Sequence, residues 1–375
     1  MIDPQAVTQQ FCDLVRIDSP SLRERRVIAA IHDTLAEMGV YAEEDGAAAA
    51  LGGEAGNLIA RVPGVAGAPT VLINAHVDTV EPGCGIEPQV DGTRICSAGD
   101  TVLGADDKSG VTIILSALRH ILDEELPHPP LEVIFTVAEE IGLHGAKVLD
   151  YEALKARMGI VLDGGRTMGV ITNAAPSAYR LAWEVRGVAA HAGVCPEQGV
   201  NAIKVAAEAI AAMPLGRLDH ETTANIGVIQ GGEATNIVPE RVVVRGETRS
   251  HDESKLEAHK DLMLGAFAEA AERAGAQVSA DAARSYRSFH IAEDEPVLQY
   301  AWRASQNLGI EPRTERGGGG SDANIFNEHG IPSIIIATGP ADVHTVNESV
   351  DAERMVESAR WLTEILGLMA ADANA

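Results

Sequence analysis

Aromatic side chains are scarce in this chain, in which Phe, Trp and Tyr together make up 3% of 375 residues. Hydrophobic residues of all kinds make up 46%, an ordinary share for a globular protein, so the core must consist mainly of Val, Ile, Leu and Ala. No apolar run approaches the roughly 18 residues of a membrane span. The polar N-terminal stretch also lacks the pattern of a signal peptide. We therefore expect no membrane partner.

Cysteine is rare as well. Its four copies are scattered, and none belongs to a C-x-x-C pair, which argues against a thiolate zinc site or a redox motif. In a chain of this length, isolated cysteines are typical of free thiols in a reducing compartment. We expect a cytoplasmic protein in which the following cysteines are unpaired: Cys12, Cys84, Cys96 and Cys195.

Positively charged residues are few compared with acidic ones. The chain has 29 Lys and Arg residues against 55 Asp and Glu residues, which gives a formal net charge of −26. Nucleic acids and anionic membranes are bound by clustered Lys and Arg, so we expect neither as a partner. Some of the acidic side chains are expected to be neutralised by bound cations.

Short apolar strand patterns alternate with helical patterns in both terminal parts of the chain. Predicted helices include 108–121 and 351–368. The predicted strands lie at 57–62, 70–75, 131–137, 159–162 and 331–337. Such alternation is typical of an α/β fold. We predict a mostly parallel mixed sheet that is flanked by helices.

The middle of the chain has a different pattern. Residues 179–186 alternate between polar and apolar, as a half-buried strand does. The predicted order from there is strand, helix, strand, strand, helix, strand, which is the order of a small ferredoxin-like α+β sandwich. We predict a catalytic domain formed by residues 1–175 and 290–375, with an α+β domain inserted over residues 176–289.

Two local motifs lie outside these patterns. Ser21 and Glu24 have the spacing of a capping box, which predicts that they start a second helix. The glycine run Gly317–Gly320 precedes a predicted helix start at Asp322. Such a run is sometimes a flexible linker, but glycines before a helix more often let the backbone approach a ligand closely. We assign Gly319 in this run to substrate binding.

Side chains of the kinds that bind metal ions recur where strand patterns end. There are five of them: His76, Asp106, Glu140, Asp163 and His344. In an open α/β sheet, the loops at the carboxyl ends of the strands converge on one crevice. Two imidazoles and three carboxylates gathered there suit two zinc ions that share a carboxylate. This arrangement predicts metal-assisted hydrolysis.

Acidic neighbours stand beside two of these ligands. Residues two apart in a strand point to the same side, so Asp78 can hold the imidazole of His76 in its ligating form. The motif alone is weak, because a histidine in a strand is more often structural. For the adjacent pair Asp106 and Asp107, we expect only one carboxylate to face the crevice. Asp106 is our candidate for the ligand shared by both metals.

Two adjacent glutamates follow the strand pattern 131–137. Placing Glu139 and Glu140 at the end of a hydrophobic strand costs desolvation energy unless a cation compensates for it. We expect one of them to bind metal and the other to take a proton from metal-bound water. The residue pattern alone does not assign the two roles.

Four segments together resemble the co-catalytic zinc exopeptidases, a family that includes peptidase T, carboxypeptidase G-type enzymes, acetylornithine deacetylase and succinyl-diaminopimelate desuccinylase. The segments are Asn74–Val80, Gly104–Gly110, Ala138–Gly142 and Val343–Glu348. The resemblance runs from about residue 5 to residue 370 and is greatest for the peptidase T branch.

This resemblance implies a role for each candidate side chain. The two zinc sites that it implies share a carboxylate, one formed by His76, Asp106 and Asp163 and the other by Asp106, Glu140 and His344. It also implies that Glu139 is the general base and that Asp78 supports His76. The peptide bond between Asp106 and Asp107 is expected to be cis.

The resemblance further implies that the inserted domain is a lid and a dimerisation module. His191 matches a histidine that reaches a neighbouring subunit's site and stabilises the oxyanion, and Asn236 and Arg249 match lid residues that bind substrate. Taken alone, His191 is more simply an exposed histidine. Arg249 suits a bidentate grip on a carboxylate, but an ordinary surface ion pair is the alternative.

The function predicted is hydrolysis of amide bonds in short peptides by a homodimeric dizinc aminopeptidase, of the kind that removes the first residue from tripeptides. A carboxypeptidase or an N-acyl-amino-acid deacylase is the alternative within the enzymes. A catalytically silent metal- or peptide-binding protein is the alternative outside them. Carboxylate and imidazole ligands also accept Mn²⁺ and Co²⁺ in place of Zn²⁺.

Overall fold

The computed structural model describes residues 1–373. Its helices are α1 (Pro4–Val15), α2 (Arg25–Glu37), α3 (Ala47–Leu51), α4 (Ala105–Asp123), α5 (His144–Lys147), α6 (Ala202–Ala212), α7 (Glu253–Ala274), α8 (Pro296–Asn307), α9 (Asp322–Glu328) and α10 (Ala352–Ala373). Its strands are β1 (Ala42–Glu44), β2 (Leu58–Val62), β3 (Val71–His76), β4 (Pro88–Asp91), β5 (Arg94–Ser97), β6 (Leu131–Thr136), β7 (Met158–Gly164), β8 (Val170–Ala175), β9 (Ser177–Arg186), β10 (Gly216–Arg217), β11 (Thr222–Gly231), β12 (Arg241–Ser250), β13 (Gln277–Tyr286), β14 (Phe289–His290), β15 (Arg313–Arg316), β16 (Ser333–Ala337), β17 (Pro340–Ala341) and β18 (Ser349–Asp351).

The chain folds into two compact units. The first contains Met1–Ala174, His290–Gly317 and the C-terminal part from Ser321 onward. The second contains Ala175–Phe289 together with the short stretch Gly318–Gly320. Most of the glycine run before α9 therefore groups with the second unit, although the helix that follows it belongs to the first.

The first unit is built on a mixed sheet with the strand order β1-β2-β6-β3-β7-β16-β8-β14, with β15 also paired to β8. Strands β6, β3, β7 and β16 are parallel to their neighbours within that group. Strands β1 and β2 on one side, and β8 next to β16, pair antiparallel. The predicted mostly parallel mixed sheet is confirmed.

The carboxyl ends of the parallel strands lie at one edge of this sheet. His76, the last residue of β3, pairs with Thr136, the last of β6. Ala337, the last of β16, pairs with Gly164, the last of β7. Loops that follow these strands therefore start side by side. Strands β3 and β6 are buried along their whole length, as expected for parallel strands covered on both faces.

Helices cover the sheet as predicted. Helices α4, α8 and α9 pack against β7, and α10 packs against α4 and α8. Asp106 and Asp107 have non-helical backbone angles within α4, so its regular part begins after them and agrees with the predicted helix 108–121. No helix in residues 1–373 combines the length and the apolar character needed to cross a bilayer.

A small antiparallel sheet in the first unit, with the order β17-β18-β5-β4, was not predicted. Its strands are two to four residues long. Strand β4 is almost entirely exposed. Such short strands carry too little alternation to be recognised from the sequence.

The second unit has an antiparallel sheet with the order β10-β11-β12-β9-β13, against which α6 and α7 pack. Along β9, Leu181, Trp183 and Val185 are buried, while the residues between them are more exposed, as the alternation of residues 179–186 predicted. Trp183 stacks on Phe267 of α7 with ring centroids 4.5 Å apart. The two rings thus anchor a core that is otherwise aliphatic.

The predicted capping box at the start of α2 is wrong in its contacts. Helix α2 begins at Arg25, with Glu24 in the N-cap position and no side-chain cap. The Ser21 hydroxyl instead donates to Asp78 at 2.6 Å. The Glu24 carboxylate accepts from the backbone N–H groups of Leu22 and Ala138. The spacing is that of a capping box, but tertiary partners have replaced the local ones.

Candidate metal centre

The strand ends of the first unit bring four predicted ligands into direct contact. The Nε2 atom of His76 lies 3.0 Å from Oδ1 of Asp106. The Nε2 atom of His344 lies 3.2 Å from Oδ2 of Asp106 and 3.1 Å from Oε1 of Glu140. Asp106 thus lies between the two imidazoles, with one oxygen directed to each.

Asp163, the fifth predicted ligand, joins the same group through His76. Ligand atoms of His76, Asp107 and Asp163 lie within 4.8 Å of one another, as do those of His76, Asp106 and Glu140. The two groups of three share His76 and lie at the carboxyl ends of β3 and β7, in the loop after β6, and in the segment before the regular part of α4. The five predicted residues are therefore clustered.

Asp107 is a site residue that sequence reasoning missed. We predicted that only one carboxylate of the pair would face the crevice, and this is wrong, because Asp107 is buried with a ligand atom close to one of Asp163. The peptide bond between Asp106 and Asp107 is cis, as the resemblance implied. With non-helical angles at both residues, adjacent side chains are not forced onto different sides. The only signal in the sequence was the second aspartate itself.

Asp78 is fully buried and acts on both His76 and the glutamate pair. The Nδ1 atom of His76 lies 3.0 Å from the Asp78 carbonyl oxygen and 3.5 Å from its carboxylate, so the backbone makes the shorter contact. The carboxylate instead accepts from the backbone N–H groups of Glu139, at 2.9 Å, and Glu140, at 3.1 Å. Burial opposes ionisation, but hydrogen bonds from His76, Ser21 and this backbone hold the pKa of Asp78 below its ordinary value.

The remaining acids crowd one another. Burial, aided by the charge of Asp163, raises the pKa of Asp107 well above its ordinary value. Burial and the charge of Asp106 do the same for Asp163. Burial, with the charges of Asp163 and Asp322, raises the pKa of Glu139. Carboxyl groups that are this hard to ionise mark a place where positive charge is missing.

The donor set fits divalent metal ions. Two ligand atoms about 2.1 Å from one tetrahedral ion lie about 3.4 Å apart, close to the separations of 3.0 to 3.2 Å between the imidazoles and their carboxylate partners. In addition, Oδ2 of Asp107 is buried with no hydrogen-bond partner in the described chain. An ion there would satisfy this oxygen and relieve the repulsion among the acids.

Two further acids that were not predicted accept hydrogen bonds from residues beside the site. Glu348 accepts three backbone N–H groups, from Leu103 and Gly104 at 2.7 and 2.8 Å and from Asp106 at 2.9 Å. It therefore fixes the loop that presents Asp106. Asp322, at the start of α9, accepts from Thr136 at 2.5 Å. Burial raises the pKa of Asp322 to about 6.

The predicted lid residues lie in the second unit, where they form two pairs. His191 and Asn236 belong to neighbouring segments joined by a hydrogen bond from the N–H of Ala192 to the carbonyl of Asn236, at 2.9 Å. Both are exposed. The Nδ1 atom of His191 accepts from the N–H of Gly193 at 3.1 Å, which leaves the proton of a neutral imidazole on Nε2.

Arg249 and Gly319 form the other pair. A Cβ atom added at Gly319 would lie 3.7 Å from Nη1 of Arg249. The guanidinium of Arg249 makes a two-point contact with Glu247, from Nε and Nη2, both at 3.0 Å. The ion pair that we gave as the alternative for Arg249 is thus present. Substrate would have to compete with Glu247 for this group or share it.

Imidazoles and carboxylates gathered at the carboxyl edge of a parallel sheet are typical of a metal-dependent enzyme of α/β fold. The profile of Peptidase family M20/M25/M40 matches residues 72–367 of this chain. The uncharacterized protein YqjE of Bacillus subtilis is 37% identical over 366 residues, which cover 98% of this chain and 99% of that protein.

Two solved structures are similar over almost the whole chain. Aminopeptidase PepT from Bacillus cereus is 40% identical, with a TM-score of 0.86 and coverage of 98% of this chain and 99% of that one. A tripeptidase from Staphylococcus aureus is 35% identical, with a TM-score of 0.92 and coverage of 99% and 100%. This chain belongs to peptidase family M20/M25/M40 and to its peptidase T-like branch. The prediction of a metal-dependent peptidase is confirmed.

Proposed function

We propose that this protein is an aminopeptidase that removes the N-terminal residue from tripeptides by means of two metal ions. The observation that carries the proposal is the position of Asp106, with one carboxylate oxygen directed to each of the two imidazoles. One ion would be held by His76, Asp106 and Asp163, and the other by Asp106, Glu140 and His344. Asp107 lies close enough to Asp163 to support the first set.

Bound metal ions would supply a polarised substrate carbonyl and a water molecule of lowered pKa. Glu139 takes a proton from the attacking water and gives it to the amine that leaves. Two features of Glu139 support this role: it is 8% exposed, and its N–H is fixed by Asp78.

The second unit would contribute to binding. His191, with the proton on Nε2, can donate to the oxygen on which negative charge develops. Arg249 and Asn236 would hold polar groups of the peptide, and the bare backbone at Gly319 would allow it to approach beside Arg249. Exposure of His191 and Asn236 supports a role in contact with a molecule from solution. We also propose that this unit mediates a homodimer and closes as a lid.

Zinc is the metal that we propose, because two imidazoles and several carboxylates are ligands that it accepts readily. The same donors accept Mn²⁺ and Co²⁺, so metal analysis of the purified protein must decide. All four cysteines are free thiols, which supports our proposal of the cytoplasm, a reducing compartment, as the location.

A hydrolysis assay on metal-loaded protein tests this function. It compares a free tripeptide, the same tripeptide with an acetylated N-terminus, and an N-acetyl amino acid. We expect cleavage of the free tripeptide alone, at its first peptide bond. Cleavage of the acetylated compounds would overturn the aminopeptidase assignment in favour of a carboxypeptidase or a deacylase.

A further inference from the structure

The segment that joins α1 to α2 is tied to the candidate metal centre along its whole length. We call residues Ile17–Glu24 the N-terminal strap. Lys108 donates from Nζ to the carbonyl of Ile17 at 2.7 Å. The hydroxyl of Ser19 donates to the carbonyl of Val77 at 2.8 Å, between His76 and Asp78. These contacts fasten the strap to the loops that present the site residues.

We propose that Ser21 and Glu24 of the N-terminal strap are positioning residues that fix the backbone, and hence the carboxylate, of the general base Glu139. The inference rests on the proposed function, which assigns Glu139 its role. Neither residue touches the reacting atoms. Each acts through one hydrogen-bonded intermediary, Asp78 for Ser21 and Ala138 for Glu24.

Glu24 binds the backbone of Ala138, the residue that precedes the base. Its carboxylate is fully buried, and Oε1 accepts from the N–H of Ala138 at 3.0 Å and from that of Leu22 at 2.7 Å. Ala138 has φ = 53°, in the left-handed region that alanine rarely adopts. Without this acceptor, the N–H of Ala138 would be buried and unpaired, and the left-handed conformation would lose one of the contacts that hold it, although the carbonyl of Ala138 would still accept from the N–H of His144. The direction of the Glu139 side chain would then change with that conformation.

Ser21 acts on Glu139 through the carboxylate of Asp78. Asp78 accepts the backbone N–H groups of Glu139 and Glu140 on different carboxylate oxygens. The Ser21 hydroxyl donates to Oδ2 of the same carboxylate at 2.6 Å. This third donor further restrains the carboxylate that accepts the two N–H groups. Glu139 is thus held through its own N–H and through the residue before it.

Helix stability does not explain these two residues. Ser21 and Glu24 have the spacing to cap α2, yet the helix has no side-chain cap. The second oxygen of Glu24 is buried with no hydrogen-bond partner in the described chain. Burial, with the charge of Asp78, raises the pKa of Glu24 to about 7. Burying an acid in this way costs desolvation free energy, and Glu24 does not offset it by capping the helix. We therefore infer that its role is to place Glu139.

The chain offers a matched control for Glu24. Glu132 lies on β6, the strand that leads to Glu139, and is 2% exposed. It also accepts two backbone N–H groups, those of Lys155 and Ala156, both at 2.9 Å. Its other oxygen is buried without a hydrogen bond and lies 3.6 Å from Nε of Arg61. Its two donors belong to the segment before β7 and not to the loops that carry the site residues. Removing either glutamate should destabilise the fold to a similar extent, but only Glu24 should affect the base.

The first experiment compares the purified, metal-loaded variants Glu24→Ala, Glu24→Gln and Glu132→Ala on a free tripeptide. For Glu24→Ala we expect kcat to fall by about 10- to 100-fold, as for other supporting groups of metal sites, with KM and metal content unchanged. Glu24→Gln keeps an oxygen that accepts both N–H groups and should recover kcat to within a few fold. Glu132→Ala should lower the thermal midpoint but keep kcat. Equal kcat for the two alanine variants would overturn the proposal.

The double variant Ser21→Ala/Glu24→Ala tests whether both residues act on one loop. Since they fix the same base, the loss in kcat should be smaller than the product of the two single losses. A loss in kcat equal to the product of the two single losses would show that the residues act independently and would contradict the shared role.

A second readout does not depend on any substrate. Amide hydrogen exchange over residues 136–143 should be faster in Glu24→Ala than in the unaltered protein or in Glu132→Ala, because the N–H of Ala138 loses its acceptor. Unchanged exchange there would overturn the proposal even if no peptide were cleaved. Failure of the proposed function, which would appear as inactive unaltered protein, is therefore distinguishable from failure of this inference.

Discussion

The two units carry their candidate functional side chains in opposite ways. In the first, His76 and Asp78 are 2% and 0% exposed, and each side chain is fixed by several hydrogen bonds. In the second, His191 and Asn236 are exposed. A site that holds metal ions and a base needs fixed, dry geometry, whereas groups that meet a substrate from solution must be reachable. We therefore expect substitutions in the first unit to lower kcat, and substitutions of the proposed substrate-binding residues Asn236 and Arg249 in the second to raise KM.

The largest effect is expected at Glu139. Glu139→Gln keeps the size of the side chain but cannot accept a proton, so kcat should fall by about 10³-fold or more. The bound metal should be unchanged, because Glu139 is not among the proposed ligands. Steady-state kinetics and metal analysis of the same preparation measure both. Retention of more than a tenth of kcat would remove Glu139 from the role of base.

A smaller effect, on KM and not on kcat, is expected at Arg249. Arg249→Lys loses the two-point geometry of the guanidinium, so KM for the tripeptide should rise by about tenfold with kcat nearly constant. The matched control is Arg241→Lys on the same strand. Arg241 also contacts a glutamate, Glu184, through Nε and Nη2, but it has no assigned role. A similar rise in KM for both variants would show that the comparison between the units is wrong.

The smallest effect concerns pH and His344. Hydrogen bonds to Asp106 and Glu140 raise the pKa of His344 to about 10 in the metal-free protein. Because the folded pKa lies above the unfolded one, near 6.5, this contact stabilises the metal-free fold fully below pH 6.5 and is lost as the pH rises through about 10. The imidazole is 52% exposed, so solvent screening keeps the contribution small.

The same proton must leave before His344 can bind metal. Metal affinity should therefore increase as the pH rises from 6 to 9. Calorimetric titrations of metal into the protein, in buffers with different ionisation enthalpies, should show proton release. In His344→Ala the pH dependence should be shallower. A metal affinity that is independent of pH would contradict the claim that His344 must lose a proton before it binds metal.

Much of the metal centre could be predicted from the sequence, because strand ends in a parallel sheet meet at one edge. The apolar runs before His76 and Asp163 locate those ends, and the topology then brings the side chains together. The residues that support the site could not be predicted in this way. Glu24 and Glu348 act across 114 and 242 residues of chain, and their sequence surroundings resemble ordinary turns or helix starts.

Local rules were also misleading where tertiary contacts replaced them. The spacing of Ser21 and Glu24 predicts a capping box, but their partners come from the loops that follow β3 and β6. Adjacent aspartates normally point apart, but the backbone between Asp106 and Asp107 lets both reach the crevice. Such departures from local rules are expected at functional sites.

Metal stoichiometry tests the central claim most directly. Protein stripped of metal by a chelator would be titrated with Zn²⁺, with bound metal and tripeptide hydrolysis followed together. We predict two ions bound per chain, with activity that reaches its plateau at or before the second equivalent, and weakened binding of both ions in Asp106→Ala, because that carboxylate is the ligand they share. Binding of a single ion, or loss of only one of two in Asp106→Ala, would contradict a centre built around Asp106.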